Sequence, residues 1–310
     1  MKYLYCIIFF CCASAIFGQV PNGYYNSAEG YIGSALKTKL NLIIKDHVEF
    51  PYTSSSVDVW DILKETDRDP NNPNNVILLY SGWSTNGEEE YNGGNGWNRE
   101  HVWAKSHGNF GNEEGPGTDV HALRPCDVSV NSARSNRWFA ECNTPYIDGD
   151  GPTGCYTSST EWVWKPNENV KGDVARMIFY MATRYEGEGN EPDLQIIDYL
   201  PSNNNTSAPV HAKLSDLLLW HIEDPVDDWE RNRNDIIYYD YQNNRNPFID
   251  RPEFAQLIWG DLSEITVTHQ KPKTLVKIID YTGKKSKRVM NTPLIFIYND
   301  GSTEKKYFTE

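Results

Sequence analysis

Two adjacent residues, Glu100 and His101, offer the most chemistry in this chain, and they sit inside the run Asn98-Arg99-Glu100-His101-Val102-Trp103. An imidazole can take a proton from water near neutral pH without retuning. The neighbouring carboxylate suits a hard divalent cation, which prefers oxygen ligands and keeps several waters. Asn131, thirty residues beyond His101, could add an amide oxygen. A base and a bound cation together suit hydrolysis of a phosphodiester, where water loses a proton and developing negative charge needs a positive partner. No His-Glu-x-x-His helix of the zinc peptidase kind is present. One conflict stands: neighbouring strand residues face opposite ways, so Glu100 and His101 share a site only where a strand ends or bulges.

The elements around this run must position it. Residues 98–138 read as strand, loop, strand and helix, with Gly108 to Gly117 as the loop and Asp119 to Arg124 as the second strand. Asp127 is a good N-cap for a helix over Val128 to Asn136. A hairpin crossed by that helix would gather Glu100, His101 and Asn131. Further out, Leu36, Leu40, Ile43, Ile44 and Val48 make the apolar stripe of a first helix, with His47 at its partly exposed edge. Residues 57–64 form a short amphipathic piece, 70–75 a loop, and Val76 to Tyr80 a strand. Residues 140–160 read as loop. Lys171 to Tyr185 is helical, with Val174, Met177, Ile178 and Met181 on one side. Helices follow over Leu214 to Ile222, from Asp224-Pro225 to about Tyr241, and over Glu253 to Trp259. From Ser263 short alternating apolar runs, separated by turns at Thr282-Gly283 and Asp300-Gly301, indicate a small all-β appendage. The fold class expected is α+β, mainly helical.

Composition sets limits. Mean hydropathy is -0.63, which excludes a multi-span membrane protein. The first eighteen residues combine Lys2 with an apolar run too short to span a bilayer, as a signal peptide does, with cleavage after Gly18. Three domains are therefore expected: 1–18 signal, 19–262 catalytic domain, 263–310 tail. Cys6, Cys11 and Cys12 leave with the signal. Export permits disulfides, and Cys142 and Cys155 flank a loop they could close, leaving Cys126 as an unpaired space-filler. None has the C-x-x-C spacing of a zinc knuckle. Net charge is -14. That argues against nucleic acid, whose phosphates are usually met by Lys and Arg. The tail carries nine Lys and Arg against five Asp and Glu, so the acidity lies in 19–262. An enzyme needs only a locally positive cleft and a cation.

Asn98 to Trp103, Asp119-Val120-His121-Ala122-Leu123-Arg124-Pro125 and Val130-Asn131-Ser132-Ala133-Arg134-Ser135-Asn136 together resemble the endonuclease I family, within the ββα-metal or His-Me finger nucleases. The resemblance continues through Lys171 to Arg176, Tyr180 to Tyr185 and Asn244 to Asp250, and covers roughly residues 30–260. It implies His101 as general base, and Glu100 and Asn131 as ligands of one divalent metal. Mg²⁺ is the expected ion, with Mn²⁺ and Ca²⁺ as alternatives. Products would carry 5′ phosphates. The family's phosphate-clamping arginine has no match here, so Arg124, Arg134 and Arg137 are candidates by proximity. Lys277 to Lys284 and Asn291 to Gly301 resemble a C-terminal sorting domain of type IX secretion, which implies contact with export machinery and a protein not inserted in a membrane.

Other residues have plainer roles. Asn136 is the reserve for Asn131. His121 and Asp119 are expected to be structural, and His107 an ordinary loop residue. Trp97, Trp103 and Trp138 could stack on bases, but core packing is the commoner fate. The expected activity is that of a secreted, monomeric, largely sequence-non-specific endonuclease acting on DNA and possibly RNA. The alternative is a secreted, non-catalytic surface binding protein on the same scaffold.

Overall fold

In the computed structural model the described residues are 20–204, 206–260, 275–280, 283–287, 293–298 and 303–307. The expected signal segment 1–18, its cleavage point and its three cysteines lie outside them. The chain divides into two compact units between Gly260 and Asp261.

The first unit opens with α1 (Gly33–Ile44), which buries Leu36, Leu40 and Ile44 as its stripe requires; Val48 is exposed beyond its end. Helix α2 (Val59–Thr66) starts at Asp58. The Asp58 carboxylate accepts from the amides of Trp60 (2.8 Å) and Asp61 (3.4 Å), and Asp61 accepts in return from the Asp58 amide, a reciprocal cap. Strands β1 (Arg68–Asp69), β2 (Asn72–Ile77) and β3 (Ser84–Asn86) form a small antiparallel sheet, so most of the expected loop 70–75 is strand. Next come β4 (Trp97–His101), β5 (Leu123–Asp127) and α3 (Val128–Arg134).

Strands β6 (Trp138–Phe139), β7 (Thr144–Asp148), β8 (Gly151–Ser158) and β9 (Val163–Lys165) make a four-stranded sheet in the order β6-β9-β8-β7. The 140–160 segment is thus largely a hairpin. Thr-Pro-Tyr-Ile-Asp and Gly-Pro-Thr-Gly-Cys lack the apolar alternation that marks a strand in sequence. The expected Cys142–Cys155 disulfide is not formed either: all three described cysteines are free and buried. The Cys155 thiol donates to the Tyr80 carbonyl at 3.4 Å, while Cys142 packs with Trp138, Ala140 and Val163.

Helix α4 (Lys171–Arg184) is buried at every one of its 14 residues. One side carries the expected apolar residues. The other is polar, yet it is covered because its charges are paired inside: both oxygens of Glu230 meet Arg176 at 2.6 Å, and Asp173 meets Arg124 at 3.3 Å. Strands β10 (Gln195–Ile197) and β11 (Val210–Ala212) pair in parallel. Helices α5 (Leu214–Glu223) and α6 (Asp228–Ile236) follow, the latter continuing as a π-turn to Tyr241. The cap of α6 is Asp227 with Glu230, not Asp224-Pro225. Asp224 instead accepts from the Gly172 amide at 2.8 Å, fastening the start of α4. Short α7 (Pro247–Asp250) and α8 (Glu253–Trp259) complete the unit.

The second unit contains β12 (Leu275–Asp280), β13 (Pro293–Tyr298) and β14 (Thr303–Tyr307) in one antiparallel sheet, with Leu294 and Phe296 buried. The class is α+β, but the "mainly helical" expectation is wrong. About a third of the described residues are helical, and the strands fall in five small sheets. Short polar strands carry too little periodicity to register in sequence.

One buried and one half-buried histidine, His121 and His221, tie stability to pH. His121 donates toward the Asn244 carbonyl (3.1 Å) and His221 toward the Pro252 carbonyl (2.9 Å). Burial lowers each to about 4. The folded chain therefore holds them neutral while the unfolded chain protonates near 6.5. Their contribution is complete above pH 6.5 and is lost as pH falls toward 4. Thermal melts should show a falling midpoint between pH 7 and 5, with a shallower fall for His121→Gln. A midpoint flat over that interval would contradict this linkage.

Candidate active site

The run Asn98 to Trp103 is built as its chemistry requires. β4 pairs antiparallel with β5 in the register Trp97 to Asp127, Glu100 to Arg124 and His101 to Leu123. The second strand lies later than expected, because Val120–Ala122 is a 3₁₀ turn capped by Asp119. Trp97 anchors the hairpin, donating its indole N–H to the Gly87 carbonyl (3.2 Å) and packing edge-on against Trp60. Asp127 closes β5 and caps α3, accepting from the amides of Ser129 (2.8 Å) and Val130 (3.1 Å). Asn131 then lies one turn into the helix, where its Nδ2 donates to Asn98 Oδ1 at 2.7 Å. Two strands and a crossing helix therefore bring the three predicted residues to one open pocket of about 410 Å³, lined also by Lys105, Arg134 and Trp162.

The conflict between adjacent strand residues is resolved at the strand end, for His101 is the last residue of β4. Glu100 turns inward and is 2% exposed. Its Oε1 accepts from the Tyr80 hydroxyl (2.7 Å) and meets Arg134 Nη1 at 3.2 Å. Neither contact uses Oε2. Burial raises the Glu100 carboxyl above its ordinary value, opposed by Arg134 and by the Tyr80 hydroxyl.

His101 turns to the other side and stacks on Tyr52, ring centres 5.6 Å apart. Its Nε2 lies 2.9 Å from the Gly117 carbonyl. A carbonyl only accepts, so Nε2 carries the proton and Nδ1 keeps its lone pair. Burial, reinforced by Lys105, Arg99 and Arg134, lowers His101 to about 3, against the Gly117 carbonyl's opposite pull. The ring is neutral at physiological pH.

The three arginine candidates separate. Arg124 is buried in ion pairs with Asp67 and Asp173 and is not free for a phosphate. Arg134 lines the pocket but is fully buried and donates to the carbonyls of His101 (3.1 Å) and Val102 (2.5 Å) as well as meeting Glu100. It is a clamp on the end of β4. Arg137 is half-buried, its Nε donating to Thr157 Oγ1 at 3.0 Å.

The reserve ligand Asn136 is spent: Oδ1 accepts from the Trp162 indole (2.8 Å), while Nδ2 donates to Ser106 and to the Asn204 carbonyl. Asn131 Oδ1 has no such engagement among the described residues. His107 is no ordinary loop residue, being fully buried and stacked on Trp138 at 3.8 Å. His47, expected at a partly exposed edge, turns its ring inward to Asp119 and Arg184. Asp119 accepts from Tyr180, Tyr185 and Gln242, a structural hub. Trp97, Trp103 and Trp138 are buried and cannot reach a base. Sequence reasoning missed Tyr80 and the Gly117 carbonyl; both act through tertiary contacts that leave no local pattern.

A family model for endonuclease I matches residues 32–253. The chain belongs to the endonuclease I family. It is 55% identical over 238 residues to the extracellular ribonuclease of Bacillus subtilis (strain 168), covering 76% of this chain and 78% of that protein. The extracellular ribonuclease of Bacillus amyloliquefaciens is 54% identical over the same shares. The endonuclease I-family protein described here is a nuclease and is extracellular, and the alternative of a non-catalytic surface protein falls away. No described helix is long and apolar enough to cross a membrane.

The assignment of Arg124 to the scaffold has a measurable consequence. Removing it leaves Asp67 and Asp173 buried with one cation fewer, which costs about 3–5 kcal/mol. Urea unfolding of Arg124→Met should show a loss of that order, with substrate KM near wild type for the folded fraction. A stable variant with a raised KM would instead make Arg124 a phosphate ligand.

Proposed function

We propose that this enzyme is a metal-dependent endonuclease with little sequence preference, cleaving RNA and DNA by water attack at a ββα-metal motif formed by β4, β5 and α3. The observation that carries the reading is the convergence of a neutral, oriented His101 with two uncommitted oxygens, Glu100 Oε2 and Asn131 Oδ1, in one pocket. Those oxygens fit a hard cation: one carboxylate and one amide leave room for several waters and substrate oxygens, as Mg²⁺ prefers. Glu100 and Asn131 would hold the ion, which supplies positive charge to the scissile phosphate and the departing 3′ oxygen.

The chain's own groups perform the rest. His101 Nδ1 takes a proton from the attacking water while the Gly117 carbonyl holds Nε2–H and fixes the ring. Arg134 and Tyr80 hold Glu100 Oε1, so that Oε2 is the oxygen presented. Departure of the 3′ oxygen leaves a 5′ phosphate. Because water and not the 2′ hydroxyl attacks, the mechanism does not distinguish RNA from DNA. The relatives named ribonucleases favour RNA among the substrates, and the Mg²⁺ assignment extends to Mn²⁺ or Ca²⁺ on the same donor chemistry. The tail from residue 263 we assign to secretion sorting, from its resemblance in sequence.

The test is to incubate the protein with a plasmid and an RNA transcript in Mg²⁺ or in EDTA. Both substrates should be cut only with the ion, leaving 5′-phosphate ends. His101→Ala should lower kcat by about 10²–10⁴ with an unchanged melting temperature. Cleavage in EDTA, or 2′,3′-cyclic phosphate ends on RNA, would overturn the proposal.

A further inference from the structure

Residues 19–262 contain 19 Lys and Arg against 38 Asp and Glu, so nearly every cation has a carboxylate within reach. Among the described residues of the first unit, five cations nonetheless make no ion pair: Lys39, Arg68, Arg99, Lys105 and Arg137. Chance would scatter them. Instead Arg99 and Lys105 line the catalytic pocket, and the guanidinium of Arg137 lies 3.8 Å over the ring of Trp162, which lines it too. Lys39 sits over Tyr31, and Arg68 lines a separate groove.

The three differ in what they have left to offer. Arg99 is occupied, held by the Tyr52 carbonyl and Thr53 and covered by the rings of Tyr52 (3.3 Å) and Trp60 (4.0 Å). Lys105 donates to one neutral acceptor, the amide oxygen of Asn112, and lies over the ring of Tyr52 at 5.7 Å; Glu113 attracts it without forming an ion pair. Arg137 uses only Nε, leaving both terminal nitrogens uncommitted among the described residues, the fork that binds a phosphate bidentately. Trp162 is fixed beneath it. Its φ of 58° lies in a region that bulky side chains rarely adopt, and its indole N–H is held by Asn136. Backbone strain is thus retained where it sets the ring that carries Arg137.

We propose that Lys105 and Arg137 each hold a backbone phosphate of the nucleotides flanking the scissile bond, with Trp162 as the positioning residue for Arg137. The inference rests on the pocket being the nuclease site. It accounts for a polyanion binding to so acidic a protein: three of the five unpaired cations lie at the pocket or on the ring that lines it, where the strand must pass.

The test compares Lys105→Gln and Arg137→Gln with Lys39→Gln and Arg68→Gln, which remove the same charge away from the pocket. On an RNA of about 20 nucleotides with Mg²⁺, each pocket variant should raise KM about tenfold and reduce the steepness of the log–log salt dependence by about 0.7. The two remote variants should match wild type. On bis(4-nitrophenyl) phosphate, which has no flanking phosphate, the two pocket variants should lose much less than on RNA, and all five proteins should melt at the same temperature. Pocket variants indistinguishable from the remote ones on RNA, or losing as much on the small diester, would overturn the proposal. Wild-type protein inactive on both substrates would instead defeat the nuclease reading of the pocket. Fluorescence anisotropy of the labelled RNA in EDTA would still decide the track, by whether the two pocket variants alone bind more weakly.

Discussion

The buried guanidinium of Arg134 is the contact on which the site depends. It reaches from the last turn of α3 to the end of β4, where it meets Glu100 Oε1 and the carbonyls of His101 and Val102. Those carbonyls are at the point where β4 stops, which is where a strand leaves its acceptors unpaired. One planar group with several donors satisfies them together and neutralises a carboxylate that burial would otherwise penalise. A lysine could not do this, having one nitrogen and no fork. The same contact locks helix to hairpin, so Asn131 and Glu100 keep their relative position. Glu100, His101, Asn131 and the arginine that supports them thus share one small motif.

The remainder of the unit shows why so acidic a protein can be stable and still handle a polyanion. Many of its carboxylates face inward. Asp67 bridges Arg124 and Arg233, Glu230 takes Arg176 in a fork, and Asp250 with Asp235 encloses Arg245. Each is a desolvated pair, and the geometry that offsets desolvation is bidentate or multiply bonded. Formal charge counted along the sequence treats these acids as a surface field that repels phosphate. In the fold these four are neutralised by internal partners; the domain's excess of acids remains, so a phosphate is favoured only locally, beside cations that lack a partner.

Several features were determined by sequence alone. The Glu100-His101 pair, the spacing to Asn131, the Asp127 cap and the apolar stripe of α1 are local, and local patterns survive folding. The β tail was also legible, since Ile278 to Asp280 and Leu294 to Tyr298 alternate or run apolar between turns. The helical emphasis failed because β1 to β3 and β6 to β9 are short, polar and interrupted by Pro and Gly, so periodicity had nothing to register. Helix α4 was legible with its apolar side, but the burial of its polar side was not, because ion pairs from distant segments cover it.

Tertiary structure alone decided how the site residues are held and which neighbours are free. Whether Glu100 and His101 could share a pocket turned on where β4 ends, a matter of pairing with β5 and not of local propensity. The tautomer of His101 is set by a carbonyl sixteen residues away, and the presented oxygen of Glu100 by a tyrosine twenty residues earlier. Arg124, Arg134 and Arg137 looked equivalent in sequence because proximity was the only criterion. Their partners, drawn from Asp67, Asp173, Glu100 and Trp162, make one a scaffold ion, one a clamp and one an uncommitted cation. Sequence determines which groups can do chemistry; which of them remain unspent is decided by contacts between segments far apart in the chain.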